Sequence, residues 1–206
     1  MTSPRLPPTL VVYLAGLAAA VNVGKLPPAL PALQAGLGVS LVQSGLLVSA
    51  FQVGGMCLGL FGGLLADRFG LRRSMGCGLA LLAVAGGAGA LAGDVLLLMT
   101  LRAVESAGFV LCVLPGPALL RRVTPLPRMN VALGVWGSYM PAGMAAALVL
   151  APWLIETGGW RLAWWWASAF SAAVCVLVFT QLPPDASRGA QPQRLGALAR
   201  QTVASR

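Results

Sequence analysis

The sequence predicts an all-α membrane protein with six transmembrane helices, and three observations lead there. Of 206 residues, 58% are hydrophobic and 9% charged. A soluble chain carries about 25% charged residues and cannot cover its surface with so few. Six apolar runs each approach the roughly 20 residues that a helix needs to cross the hydrocarbon core. The basic residues fall almost wholly on alternate connections between those runs. Disorder is excluded because it requires low hydrophobicity, and collagen because the glycines follow no triplet. Backbone groups in lipid must bond within their own segment, and the runs lack the alternation of barrel strands, so they are helices.

The runs cover residues 9–33, 41–66, 74–92, 95–120, 130–154 and 162–182. The first follows a short polar start with a single basic residue, Arg5. It is too long for the apolar stretch of a cleavable signal and no small-residue cleavage site follows, so it reads as a span. Between the first two runs lies a short turn with Gly36 and Gly38; Asp94 marks a minimal turn between the third and fourth. Pro125 and Pro127 separate the fourth from the fifth, and Gly158 and Gly159 the fifth from the sixth. Pro27, Pro28 and Pro31 are expected to break or kink the first helix, Pro115 and Pro117 the fourth, and Pro141 the fifth. After Leu182 the chain turns polar. The expected organisation is a cytoplasmic N-terminus (1–8), a transmembrane domain (9–182) and a cytoplasmic linker or tail (183–206).

Charge sets the expected orientation. With the N-terminus inside, Arg5, Arg68, Arg72, Arg73, Arg121, Arg122, Arg128, Arg188, Arg194, Arg200 and Arg206 all lie on the cytoplasmic side. The outer side holds Arg161, while Lys25 and Arg102 fall within spans. This bias is the positive-inside pattern, with both termini in the cytoplasm and the chain threading the cytoplasmic (inner) membrane several times. The net charge of +9 is therefore read as topogenic, with affinity for anionic lipid, and not as a nucleic-acid footprint.

In the second run Gly55, Gly59 and Gly63 recur every four residues, and Asp67 continues the spacing. Such residues share one helix face, and their missing side chains let a neighbouring helix approach closely. The stretch Gly63-Leu64-Leu65-Ala66-Asp67-Arg68-Phe69-Gly70-Leu71-Arg72-Arg73 resembles the loop 2–3 signature of the major facilitator superfamily, at the matching topological position; Leu71 stands where Arg is common. Arg102-Ala103-Val104-Glu105-Ser106-Ala107-Gly108 is similar to the family's fourth-span pattern, with Ser106 in place of a glycine. Gly159-Trp160-Arg161 resembles its usual entry to the sixth span. The fifth-span antiporter pattern is poorly matched.

The resemblance implies half of a twelve-helix fold, the N-terminal six helices built from two inverted three-helix repeats. It further implies secondary active transport of a small solute by alternating access. In that picture Gly63, Asp67, Arg68, Gly70, Arg72 and Arg73 form a gating hairpin. Either the chain is a fragment or truncated product, or it assembles with a second six-helix half or a second copy of itself. A half-unit that only assembles with a partner, and does not itself transport, is the alternative function.

Ionisable groups within a span are costly and mark function by default. At about 1.5 Å per residue, Lys25 lies roughly 24 Å from the inner end of its run and Arg102 about 10 Å from the outer end of its own, so the two share a depth. Asn22 is one turn from Lys25, and Gln52, Glu105 and Tyr139 fall near the midplane, with Trp136 a turn further inward. Asn22, Lys25, Gln52, Arg102, Glu105, Trp136 and Tyr139 are the candidate substrate-binding residues. Two cations against one carboxylate favour a small anionic solute, and Glu105 is the candidate proton acceptor for coupled transport. Each has a structural alternative. Lys25 can snorkel to the outer interface; Arg102 and Glu105 can form a local ion pair at i, i+3; Gln52 can bond a neighbouring helix; Trp136 and Tyr139 can serve packing. Trp164, Trp165 and Trp166 read as an interfacial belt.

An enzyme is not expected. The chain contains no histidine, no paired-carboxylate or metal-ligand cluster and no phosphate-binding loop for ATP. Cys57, Cys77, Cys112 and Cys175 sit singly in apolar runs and suggest neither disulfides nor a metal. No cofactor and no nucleic acid are expected; the partners are a small solute, protons, the bilayer and a second half.

Overall fold

The computed structural model describes residues 6–51, 55 and 69–185. Within them lie helices α1 (Pro8–Gly24), α2 (Leu26–Leu37), α3 (Leu41–Phe51), α4 (Leu71–Ala90), α5 (Val95–Val113), α6 (Gly116–Val123), α7 (Met129–Gly137) and α8 (Tyr139–Gln181), with a 3₁₀ turn at Leu126–Arg128 before α7. Four helical stretches among these residues are long and apolar enough to cross a membrane: Pro8–Leu37, Leu71–Ala90, Val95–Val123 and Leu126–Gln181.

The last stretch spans 56 residues. A straight helix of that length reaches about 84 Å, far beyond a hydrocarbon core of about 30 Å. It is two spans. Gly158 leaves helical geometry and Gly159 adopts φ 73°, a left-handed conformation that costs glycine nothing. Beyond this break the chain reverses, since Ala147 before it clusters with Ala167 after it, and Leu154 with Ala163. The fifth and sixth predicted spans are thus the two arms of α8, the fifth also taking in α7. The second predicted span begins as α3, and its remainder lies outside the described residues, as do Gly59 and Gly63 of the glycine stripe.

The expected proline breaks occur. The first span parts at Lys25 and resumes with Pro27 in the first turn of α2. The fourth parts at Leu114–Pro115, between α5 and α6. The fifth parts at Ser138, just ahead of Pro141. The pyrrolidine nitrogens offer no hydrogen to the preceding turn, so each span continues with a bend.

Small residues set the helix crossings. α1 packs along α8, and α4 packs between α5 and α8. A Cβ on Gly143 would lie 2.5 Å from that of Ala20, and one on Gly108 would lie 2.9 Å from the carbonyl oxygen of Gly78. Backbones approach this closely only where side chains are nearly absent, which is how helices gain dispersion energy in lipid. Larger apolar side chains fill the layers between crossings, among them Met75, Leu79 and Leu82 in one cluster and Leu26, Leu33 and Leu98 in another.

Polar contacts separate the two ends of the bundle. The Asp185 carboxylate accepts from the backbone N–H of Arg72 and of Arg73, both at 3.0 Å, and lies 3.5 Å from the Arg122 guanidinium. Arg72, Arg73 and Arg122 therefore share one end. At the other end, Arg161 donates to the carbonyl of Ala92 at 3.2 Å. The basic residues sort to opposite ends as the charge pattern requires. Asp185, at the start of the expected linker or tail, is docked as a cap on α4.

Candidate functional site

The first span breaks at Lys25, where Pro27 and Pro28 offer no N–H to the carbonyls of Val23 and Gly24. Arg102 of α5 donates to the neighbouring carbonyl of Asn22 at 2.9 Å. Lys25 sits at the break itself and turns inward. Its Nζ donates to Asn22 Oδ1 at 2.8 Å and to Glu105 Oε1 at 2.6 Å. Glu105 is one helical turn after Arg102, and its second oxygen accepts from Arg102 Nη1 at 2.5 Å. One carboxylate thus bridges two cations from different helices. All four residues are at most 2% exposed.

The sixth span closes the cluster. Asn22 Nδ2 donates to Ser171 Oγ at 2.8 Å and to Ala18 O at 2.9 Å. The Trp164 ring lies under Lys25 Nζ, 4.9 Å from it, and the Phe51 ring lies 4.6 Å from Arg102 Cζ. Such faces suit a desolvated cation. Gly86 of α4 provides the room: a Cβ there would stand 2.6 Å from Ser168 Oγ, 3.0 Å from Glu105 Oε1 and 3.4 Å from Lys25 Nζ. Ser168 Oγ and Arg102 Nε are buried at this cluster without a hydrogen-bond partner among the described residues.

The structure therefore brings Asn22, Lys25, Arg102 and Glu105 together. It rules out the snorkelling alternative for Lys25, since that side chain is buried and bonded at both acceptors. The i, i+3 pair of Arg102 and Glu105 forms, but as part of a contact between spans. Trp136 and Tyr139 stand apart from the cluster. Their rings stack on each other with centroids 4.6 Å apart, and Trp136 is wedged between Gly16 of α1 and Gly116 of α6. Gln52 lies outside the described residues.

Of the gating residues, Gly63, Asp67 and Arg68 also lie outside the described residues. Gly70 has φ 97° and passes the Asp185 carboxylate so closely that a Cβ would collide with it. Arg72 donates from Nε to Val178 O at 3.3 Å and from Nη2 to Phe179 O, tying the loop to the end of the sixth span. The Arg73 side chain has no hydrogen bond or ion pair among the described residues, while its backbone joins the Asp185 cap.

Four residues of this architecture escaped the sequence reading: Trp164, Ser168, Ser171 and Asp185. Trp164, read as interfacial, is fully buried against Lys25, whereas its neighbours Trp165 and Trp166 are exposed. The i, i+4 and i+7 spacing of Trp164, Ser168 and Ser171 was the available signal for a polar inner face. Asp185, directly after Pro183 and Pro184, is a carboxylate beside a basic end, as Asp67 is in the hairpin.

Residues 12–204 match the family model described as Major Facilitator Superfamily. Among curated proteins, the chain is 28% identical over 131 residues to the tetracenomycin C resistance and export protein of Streptomyces glaucescens. That alignment covers 64% of this chain and 24% of the relative. Among solved structures, the D-xylose-proton symporter superposes with TM-score 0.76 at 19% identity, over 96% of this chain and 51% of that one. A bacterial homolog of the human lysosomal transporter Spinster, inward-facing and occupied, gives TM-score 0.76 at 16% identity, over 92% and 46%. The xylose transporter XylE from E. coli, inward open, gives 0.76 at 17%, over 96% and 54%. The chain spans about half the length of these structures and about a quarter of the curated relative.

Proposed function

The chain belongs to the Major Facilitator Superfamily, and from that premise we propose that it carries out secondary active transport of a small anionic solute, coupled to protons, by alternating access. The observation that carries this reading is the buried cluster at the break in the first span. Two cations face one carboxylate there, away from water. A net positive charge at membrane depth is costly unless something compensates it. An anionic solute group reaching Lys25 and Arg102 neutralises the site, with Asn22 as a further hydrogen-bonding group.

Glu105 is the proton-coupling residue in this reading. While it bridges both cations it holds α1 to α5. When a solute anion takes over the cations, Glu105 is released from the bridge and is the group that exchanges the coupled proton. Trp136 and Tyr139 serve the inner part of the path, and Gln52 its wall. The hairpin at 63–73 latches the cytoplasmic side, with both chain ends on that side of the inner membrane. The path is completed by a second six-helix unit, as expected for a chain half the length of its structural neighbours. The alternative reading is a half-unit that assembles with a partner and does not itself transport.

Uptake into proteoliposomes tests the proposal. A panel of labelled small carboxylates, neutral sugars and amines is offered under an inward proton gradient and without one. Accumulation of an anion driven by the gradient, lost in Glu105→Gln, supports it. Uptake limited to sugars or amines refutes the anion assignment, and a Glu105→Gln protein with unchanged gradient response refutes the coupling role. Absence of any uptake, even with a second copy fused in tandem, leaves the half-unit reading.

A further inference from the structure

A cavity of about 470 Å³ lies at the bundle end that carries Arg121 and Arg122, between the first turns of α1, the end of α6 and α7. This volume falls within the range of small-molecule sites. It is distinct from the buried charge cluster: Tyr13 on its wall is twelve residues before Lys25, about 18 Å along the helix. Its walls are mostly apolar, with Leu10, Val131, Val135 and Trp136 prominent. The polar groups on them are few and particular. Thr124 is nine-tenths buried, and its hydroxyl has no hydrogen-bond partner among the described residues. Tyr13 and Ser138 bond each other at 3.0 Å across one side. Arg128 stands at the rim, and among the described residues it has no ion pair and no acidic side chain lines the space.

From the cavity, the orphaned hydroxyl and the rim cation together, we infer that this is a binding site for an amphipathic anion. An apolar body the size of two fused rings, or a stretch of acyl chain, packs on Leu10, Val135 and the Trp136 ring. A polar atom of the ligand meets the Thr124 hydroxyl, which is otherwise buried unsatisfied at a cost. The negative head pairs with Arg128, whose planar fork suits sulfonate, carboxylate or phosphate. A cation gains nothing here. The site shares the Trp136 ring with the inner part of the proposed path, and its occupancy does not depend on Glu105. Free organic anions and anionic lipids both present this chemistry.

The test uses the whole chain in phosphatidylcholine nanodiscs, with naphthalene-2-sulfonate as probe and naphthalene-2-methanol as its neutral counterpart. The sulfonate is expected to bind at least about tenfold more tightly. Arg128→Gln, at an exposed position, removes that preference and leaves the neutral probe unaffected. The sulfonate also slows maleimide alkylation of an Ala132→Cys variant on the cavity wall without slowing that of an Arg121→Cys variant, exposed outside the cavity at the same bundle end, both with the native cysteines replaced. Discs containing phosphatidylglycerol assign the source: weaker probe binding marks a lipid occupant, and equal binding a free solute. Equal affinity for sulfonate and alcohol in the unmodified chain overturns the proposal. So does an alkylation rate at Ala132→Cys that ignores the probe.

Discussion

Removing the charge of Glu105 is expected to harm the fold more than removing either of its partners, and removing Lys25 as well is expected to repair part of the damage. In the native cluster, Glu105 accepts from Lys25 at 2.6 Å and from Arg102 at 2.5 Å, all three being at most 2% exposed. Lys25→Met leaves Arg102 and Glu105 as a neutral pair. It deprives Glu105 Oε1 and Asn22 Oδ1 of a donor each, at about 1–3 kcal/mol. Glu105→Gln leaves two cations in a site that excludes water, with an amide in place of their counter-charge. Breaking a buried pair in this way costs about 3–5 kcal/mol. The double variant holds a single cation beside an amide and returns to the native net charge, so its loss is smaller than that of Glu105→Gln alone. The assay is equilibrium unfolding in mixed micelles as dodecyl sulfate is increased, followed by tryptophan fluorescence, for the two single variants and the double. Additive losses would refute the reasoning, because they would mean that the two groups do not share one electrostatic site.

Two further outcomes are expected. Asp185→Ala removes the cap on α4 and lowers stability by about 1 kcal/mol; the Arg122 contact adds little, because Arg122 is half exposed and solvent screens it. A thermal unfolding midpoint unchanged from the parent would show that the carboxylate does not hold that helix end. Single cysteines at Arg121 and Arg161, in a background with the native cysteines replaced, are expected to react with a membrane-impermeant maleimide from opposite sides of the membrane. Labelling of both from one side would refute the reading of α8 as two spans reversing at Gly158 and Gly159.

The helical membrane class, the number of spans and the sorting of arginines to opposite ends were legible without coordinates, because each follows from one-dimensional chemistry. Apolar run length is matched to bilayer thickness, and basic residues mark one side of it. Prolines marked the breaks in three spans because a missing N–H acts on its own turn, whatever surrounds the helix. The shared depth of Lys25 and Arg102 could also be counted along the chain.

What counting residues left open was which groups meet. Helical depth does not give the rotation of one helix about its axis relative to another; the fit of side chains at the crossings sets that. For this reason the i, i+3 pairing of Arg102 with Glu105 was foreseeable, but not the bridge from Glu105 to Lys25, nor the burial of Trp164 beneath that lysine while Trp165 and Trp166 stay exposed. Asp185 shows the same division. Its sequence neighbourhood reads as the start of a polar tail, and only the packing of α4 against α8 brings its carboxylate to the N-terminus of α4. The sequence by itself determined that the chain lies in a membrane and how often it crosses. The tertiary structure decided which costly polar groups neutralise one another, because that depends on distances across helices, over which the primary order of residues has no hold.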